Sequence, residues 1–283
     1  MQKYVVVTDS TSNLPVEEIE RLGIPVIPLT VSWGGQTYLD GVTLTTDVFY
    51  RWLAERKDYP TTSQPSAGEF AQFFLRVAEE HQVDTILGIF ISADMSGTVA
   101  SALQAEAQLS DLQLEIVDSR SVSLGLGLQV LAAARAAAEG AALPEAVDAA
   151  RRCRESLHVV FAVDTLEFLH RGGRIGGAAR LLGSALNLKP VLAVENGRVE
   201  PLEKVRSRRK SLKRVMELIQ ERMASQPVHE LAIMHANALE DAEWMRASLE
   251  AALKPKYVHT CILTPVVGTH GGPGTIGVAA SSR

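Results

Sequence analysis

Apolar residues in this chain come in short unbroken runs that end in small polar residues, and longer stretches follow in which apolar positions recur at helical spacing. Lys3–Thr8 is a β-branched strand running into Asp9-Ser10-Thr11-Ser12, after which Pro15 opens a helix that Gly23 closes. Ile24–Trp33 is extended, Gly34-Gly35 makes a hairpin turn and Gln36–Leu39 is the returning strand. Thr46–Lys57 is an amphipathic helix. Residues 59–68 form a polar loop, and Ser66 with Glu69 is a capping box that opens a helix over Ala67–His81. The apolar run from Ile86 to Ile91 does not alternate, which is the pattern of a parallel strand covered on both faces. It stops at Ser92, and an Ala-rich helix covers Val99–Leu109. Leu114–Val117 is another strand, ending in Asp118-Ser119, and helices cover Leu128–Glu139 and Glu145–Glu155.

From about Leu157 the rhythm changes. Leu157–Val163 is a strand, Thr165–Leu169 a short helix, and Ala178–Leu188 is helical and very apolar. Lys189–Val194 and Arg198–Lys204 flank Asn196-Gly197, the strongest short hairpin signal in the chain. A helix over Ser207–Ala224, a strand Glu230–His235, a helix Leu239–Leu253 and a strand Tyr257–Leu263 lead to a Gly-rich tail, Gly268–Gly277. The fold class is therefore α/β, with two α/β domains. Residues 1–155 form an N-terminal domain with a mainly parallel sheet flanked by helices, and residues 156–283 a C-terminal domain with a mixed sheet and helices.

The 283 residues, 46% of them apolar and 22% charged, are enough for two ordinary cores. No charged-then-apolar leader and no membrane-length apolar run is present, and the two cysteines, Cys153 and Cys261, lie far apart. A cytoplasmic protein without a disulfide framework, metal or other cofactor is expected. The net charge of −5 disfavours bulk nucleic-acid binding. The basic run Lys204–Arg214 is a solvated helix face, a protein-docking patch or a nucleic-acid patch, and no aromatic residue interleaves it to stack bases.

Candidate chemistry gathers where strands stop. The corner Ser92–Thr98 opens a helix, so free amides, hydroxyls and the positive end of the helix dipole meet there and suit an anionic oxygen group. The alternative is that Ser96 or Thr98 only caps its helix. Thr62, Ser63 and Gln64 approach another helix start in the same way. Three glycine-rich segments, around Gly125, Gly172 and Gly268, lack the context of a dinucleotide or P-loop site. Of seven histidines only His270 stands out, among glycines too flexible to need an imidazole for packing. No Gly-x-Ser-x-Gly elbow marks a serine hydrolase.

Together, Val7-Thr-Asp-Ser-Thr-Ser-Asn-Leu-Pro15, Thr62-Ser-Gln-Pro-Ser66, Ile91-Ser-Ala-Asp-Met-Ser-Gly-Thr98, Val117-Asp-Ser119, Arg171-Gly-Gly-Arg-Ile175 and the Gly-Pro-Gly-Thr tail resemble the DegV family. The resemblance runs in order over essentially the whole chain. It implies a protein that binds one long-chain fatty acid, such as palmitate, stearate or oleate, between two α/β domains. Some members pass that acid to a separate kinase that makes the acyl-phosphate for phospholipid synthesis. Carried over, Thr62 and Ser96 are hydroxyl donors to the carboxylate and His270 completes the head-group network. Gly97 and Thr98 shape the corner, Gly97 with its amide, while Ser63, Ser92, Gln64 and Asp118 stand behind them. Arg171, Arg174 and Arg206 match basic positions that dock the kinase, and no residue is catalytic. Asp94 and Met95 depart from the usual pattern; Asp94 is expected to face solvent, and Met95 to bend the slot or tune chain-length preference. Two other readings stay open: a phosphotransferase or hydrolase using Ser96 or His270, and a regulatory module docking through Lys204–Arg214.

Overall fold

The computed structural model describes residues 4–183 and 188–283. β1 (Val5–Asp9) leads through a short 3-10 turn to α1 (Val16–Leu22), which Gly23 ends at φ 60°. β2 (Val26–Ile27), β3 (Thr30–Trp33) and β4 (Gln36–Leu39) follow, the hairpin between the last two turning on Gly34 and Gly35. Next come α2 (Thr46–Glu55), β5 (Thr61–Ser63), α3 (Ala67–His81), β6 (Thr85–Phe90), α4 (Thr98–Glu106) and β7 (Gln113–Asp118). The expected capping box is formed, with Ser66 and Glu69 exchanging hydrogen bonds at the start of α3. α5 (Leu124–Ala138) and α6 (Leu143–Ser156) are followed by β8 (His158–Ala162), α7 (Glu167–Arg171), β9 (Val191–Glu195) and β10 (Arg198–Glu203). α8 (Arg208–Met223), β11 (Glu230–His235), α9 (Leu239–Leu253), β12 (Tyr257–Ile262), α10 (Pro265–Gly271) and β13 (Ile276–Ser281) complete the chain.

Three sheets result. The first, in the order β2-β1-β6-β7, is parallel throughout. The second has the order β10-β9-β8-β13-β11-β12; β11 and β12 run parallel and every other pair is antiparallel, which makes it mixed. A small antiparallel sheet, β4-β3-β5, lies beside them. All strands of the mixed sheet come after residue 157, and all strands of the other two come before it.

α5 is the hinge of the packing. It lies against β1 and β6 on one side and β11 and β13 on the other, so eleven of its fifteen residues are buried. That is why its sequence is apolar all round rather than amphipathic. Each of its fully buried leucines, such as Leu124 and Leu126, contributes about 2 kcal/mol. Gly127 has no room for a side chain: a Cβ there would stand 2.7 Å from the Ser12 carbonyl oxygen. One hydrophobic cluster consequently runs from the parallel sheet through α5 into the mixed sheet.

Several sequence expectations need correction. α5 begins at Leu124, four residues before Leu128, because its first turn with Gly125 and Gly127 is held in the core. The polar loop before α3 contains β5, which pairs with β3 through backbone bonds that composition does not reveal. The apolar segment from Ala178 is a 3-10 turn, Gly176–Leu181, and residues 184–187 of the expected helix lie outside the described residues. The Gly-rich tail is ordered as α10 and then β13, an interior strand of the mixed sheet. Among the described residues no helix is long and apolar enough to cross a membrane.

Candidate functional site

The polar corners do converge at the carboxyl ends of the parallel strands. Asp9, fully buried at the end of β1, accepts hydrogen bonds from the Thr11 amide (2.9 Å), the Thr11 hydroxyl (2.5 Å) and the Ile91 amide (2.9 Å). Burial pushes its carboxyl above the ordinary range, and those three donors oppose the shift. Asp9 thereby ties β1 to the segment leaving β6. There the Met95 and Ser96 amides both donate to the Ser92 carbonyl, at 2.9 and 3.0 Å, and this turn carries Ser96 to the start of α4. The Ser96 and Thr98 hydroxyls are 2.8 Å apart.

Thr62 arrives from β5. Its neighbours Thr61 and Ser63 are exposed, whereas Thr62 is turned inward by strand alternation. Its Oγ1 lies 2.8 Å from Nε2 of His270, 208 positions further along the chain. The imidazole is held by a helix and by close packing, not by a flexible loop: a Cβ on Gly172 would fall 2.0 Å from its Nδ1. Burial, assisted by the Arg174 charge, lowers the His270 pKa to about 4, so the ring is neutral near pH 7. Nδ1 has no hydrogen-bond partner among the described residues.

Thr62, Ser96 and His270 all face one cavity, about 930 Å³ of atom-free space with its mouth included. The wall is mainly apolar; Val159, Phe161 and Val194 come from the mixed sheet and Ile91, Met95 and Val122 from the N-terminal half. Ser63, Gln64 and Arg174 add polar atoms.

The other candidate residues are placed differently. Ser92 is buried off the wall and donates to the Gly197 carbonyl at 2.8 Å, pinning the β9–β10 hairpin to the N-terminal half. Gly97 and Thr98 are also off the wall; Gly97 packs against the Gln64 side chain, and its amide donates to no group among the described residues. Asp118 accepts from the Arg120 amide at 2.8 Å and shapes the turn after β7. Asp94 pairs with Arg198 at 2.5 Å across the two halves. Arg174 is turned into the cavity wall and spends its donors on the Met95 and Gly172 carbonyls, at 3.0 and 2.6 Å. Arg171 is exposed, bonded to Glu167 and stacked on Tyr59 at 3.9 Å. Arg206 is exposed and has no hydrogen bond or ion pair with any described residue. Among the described residues no three His, Cys, Asp or Glu side chains gather as a metal site requires.

Sequence reasoning missed the part of the cavity wall to which β8, β9, β11 and β13 contribute side by side. One signal was available: Gly277 inside the apolar run Ile276–Ala280 is a strand glycine without a turn to explain it.

The family model described as "Uncharacterised protein, DegV family" matches residues 3–283. The chain belongs to the DegV family. A DegV domain-containing protein of Streptomyces coelicolor is 39% identical over 285 residues, covering 100% of both chains. The structure described as fatty acid binding of a DegV family protein from Thermus thermophilus has 35% identity and a TM-score of 0.93, over 99% of this chain and 100% of that one. DegV of Bacillus subtilis, described as a fatty acid binding protein, has 30% identity and a TM-score of 0.91, with 100% of both chains covered. A stearic acid-binding protein from Eubacterium ventriosum has 25% identity and a TM-score of 0.90, over 99% of this chain and 98% of that one.

Proposed function

We propose that this DegV-family protein binds one long-chain fatty acid, its carboxylate at Thr62, Ser96 and His270 and its acyl chain in the apolar cavity, and presents the acid to a fatty acid kinase. The observation that carries the reading is the Thr62–His270 hydrogen bond on the wall of a mainly apolar cavity. His270 is neutral and its Nδ1 has no acceptor, so the pairing that leaves no buried donor unmatched puts the proton on Nε2. Nε2–H then donates to the Thr62 oxygen, and the Thr62 hydroxyl hydrogen is free to donate to a carboxylate. Ser96 supplies a second hydroxyl on the same wall. A carboxylate buried without such donors is costly, whereas each methylene buried in the cavity contributes about 0.8 kcal/mol. The likeness to relatives described as fatty acid binding supports the same reading.

The protein acts as a carrier rather than a catalyst. A serine nucleophile needs a base in hydrogen-bond contact; the Ser96 hydroxyl is bonded to Thr98, and His270 Nε2 is occupied by Thr62. Kinase docking falls to the exposed basic face at the start of α8. Arg206, Lys204, Lys210 and Lys213 are exposed there and make no ion pair with any described residue, while Arg214 and Arg208 are tied to acidic neighbours. Arg171 is exposed at the end of α7, and Arg174 contributes by shaping the cavity wall. Native mass spectrometry of the purified protein tests the carrier reading: a co-purifying fatty acid is expected, and a covalent adduct on Ser96 or His270 would replace it with an enzymatic one. For docking, Arg206→Glu is expected to abolish kinase-dependent acyl-phosphate formation with lipid content unchanged. Loss of the lipid instead refutes the docking role.

A further inference from the structure

We infer that Gly277 and Met234 form an adjustable wall of the acyl slot and set the length of chain it accepts; this rests on the fatty-acid reading above. β13 lies between β8 and β11, with Gly277 opposite Phe161 on one side and Met234 on the other. Both ladders run through this position without a register shift, so no bulge accounts for the glycine. A strand glycine weakens the strand and otherwise marks a close approach by another group. The other glycine inside a strand, Gly88 in β6, has such a group: the Phe90 ring lies 2.5 Å from where its Cβ would be. Nothing comparable covers Gly277. Its nearest neighbours are the Met234 terminal methyl, 3.1 Å from the virtual Cβ, and the Phe161 Cβ at 3.2 Å, both in its own cross-strand row. All three residues line the cavity.

On β13 and β11 the floor ends at this row, while on β8 and β9 it runs one row further, to Val159 and Val194. Ala279 and Ala232, the next residues on the same face of β13 and β11, are fully buried in the cluster that includes α5 and do not line the cavity. Space for an acyl chain therefore reaches the bare backbone of Gly277, and Met234 stands over it. Methionine is unbranched and flexible, so its thioether can swing off the glycine to admit another methylene or two. A branched side chain at 277 cannot swing away, and it would fill the space from below.

The test is the dependence of affinity on acyl length, measured by calorimetry on delipidated protein with saturated acids from decanoic to stearic. In the unaltered protein each added methylene is expected to tighten binding about fourfold until the slot is full. In Gly277→Val that rise is expected to stop at a shorter acid, and adding Met234→Ala is expected to move the stop back toward longer ones. If Gly277→Val fails to fold, as judged by thermal melting, Met234→Phe fills the same space from β11 with the β13 backbone untouched and is expected to shorten the rise in the same way. A normal rise in the unaltered protein with the same profile in every folded variant overturns this inference alone. Absence of binding by the unaltered protein to any acid in the series refutes the fatty-acid reading, and this inference with it.

Discussion

Replacing Thr62 by valine keeps the shape and β-branching of the side chain on β5 and removes only the hydroxyl. Two consequences follow from its position 2.8 Å from His270 Nε2 on the cavity wall. A bound carboxylate loses a charge-assisted donor, worth roughly 1.5–3 kcal/mol, so affinity for palmitate is expected to fall about 10- to 150-fold. His270, whose Nδ1 is already unpartnered, is left with both ring nitrogens unpaired, which is expected to cost the unliganded protein about 1–3 kcal/mol of stability. The informative assay is calorimetry with palmitic acid beside the alcohol of the same chain length. The alcohol makes only a neutral hydrogen bond, worth roughly 0.5–1.5 kcal/mol. The variant should therefore lose more affinity for the acid than for the alcohol. Equal losses would mean that Thr62 only shapes the slot, and no loss would place the carboxylate elsewhere. Either result refutes the head-group assignment. Because burial holds the His270 pKa at about 4, the ring stays neutral and its contribution to binding should be flat across roughly pH 5.5–8.

Asp40, on the turn after β4, is almost fully buried and accepts the Val266 amide at 3.0 Å, anchoring the first turn of α10; burial raises its pKa to about 6. A raised carboxyl pKa makes the ionised fold less stable, so Asp40→Asn should stabilise the protein by about 3 kcal/mol well above pH 6. That advantage should fade as pH falls through the folded pKa toward the unfolded one; denaturant melts at several pH values measure it, and a pH-independent difference would contradict it. In the buried cluster between the halves, burial pushes the Glu230 carboxyl up, but the hydrogen bond from His259 (2.9 Å) and the Arg135 charge outweigh it and hold its pKa below the usual value. Stability from this group is therefore present above the unfolded carboxyl pKa and lost as pH falls. Arg135→Met is expected to cost about 3–5 kcal/mol at neutral pH, with fatty-acid affinity unchanged. A loss of affinity in the folded variant would show that the halves shift when this pair is broken.

Local chemistry was readable from the residues themselves. Ser66 and Glu69 cap α3, Gly23 ends α1 and Asn196-Gly197 turns the β9–β10 hairpin, because each depends on backbone torsions and hydrogen bonds spanning a few positions. The hydroxyl corners after β1, β6 and β7 were legible for the same reason, as was the division into a parallel and a mixed sheet. Other features depended on partners remote in the chain. β5 is a strand only because β3 offers it a ladder, and the Gly-rich tail becomes an interior strand only because β8 and β11 flank it. Arg174 looked like surface charge in sequence; in the fold its donors turn to two backbone carbonyls at the cavity wall. The meeting of Thr62 with His270, and of Phe161, Gly277 and Met234 in one row, comes from strand register and from α5 packed between two sheets. Which residues can line a cavity is set by the faces those layers turn toward each other, and that geometry exists only once distant segments have paired.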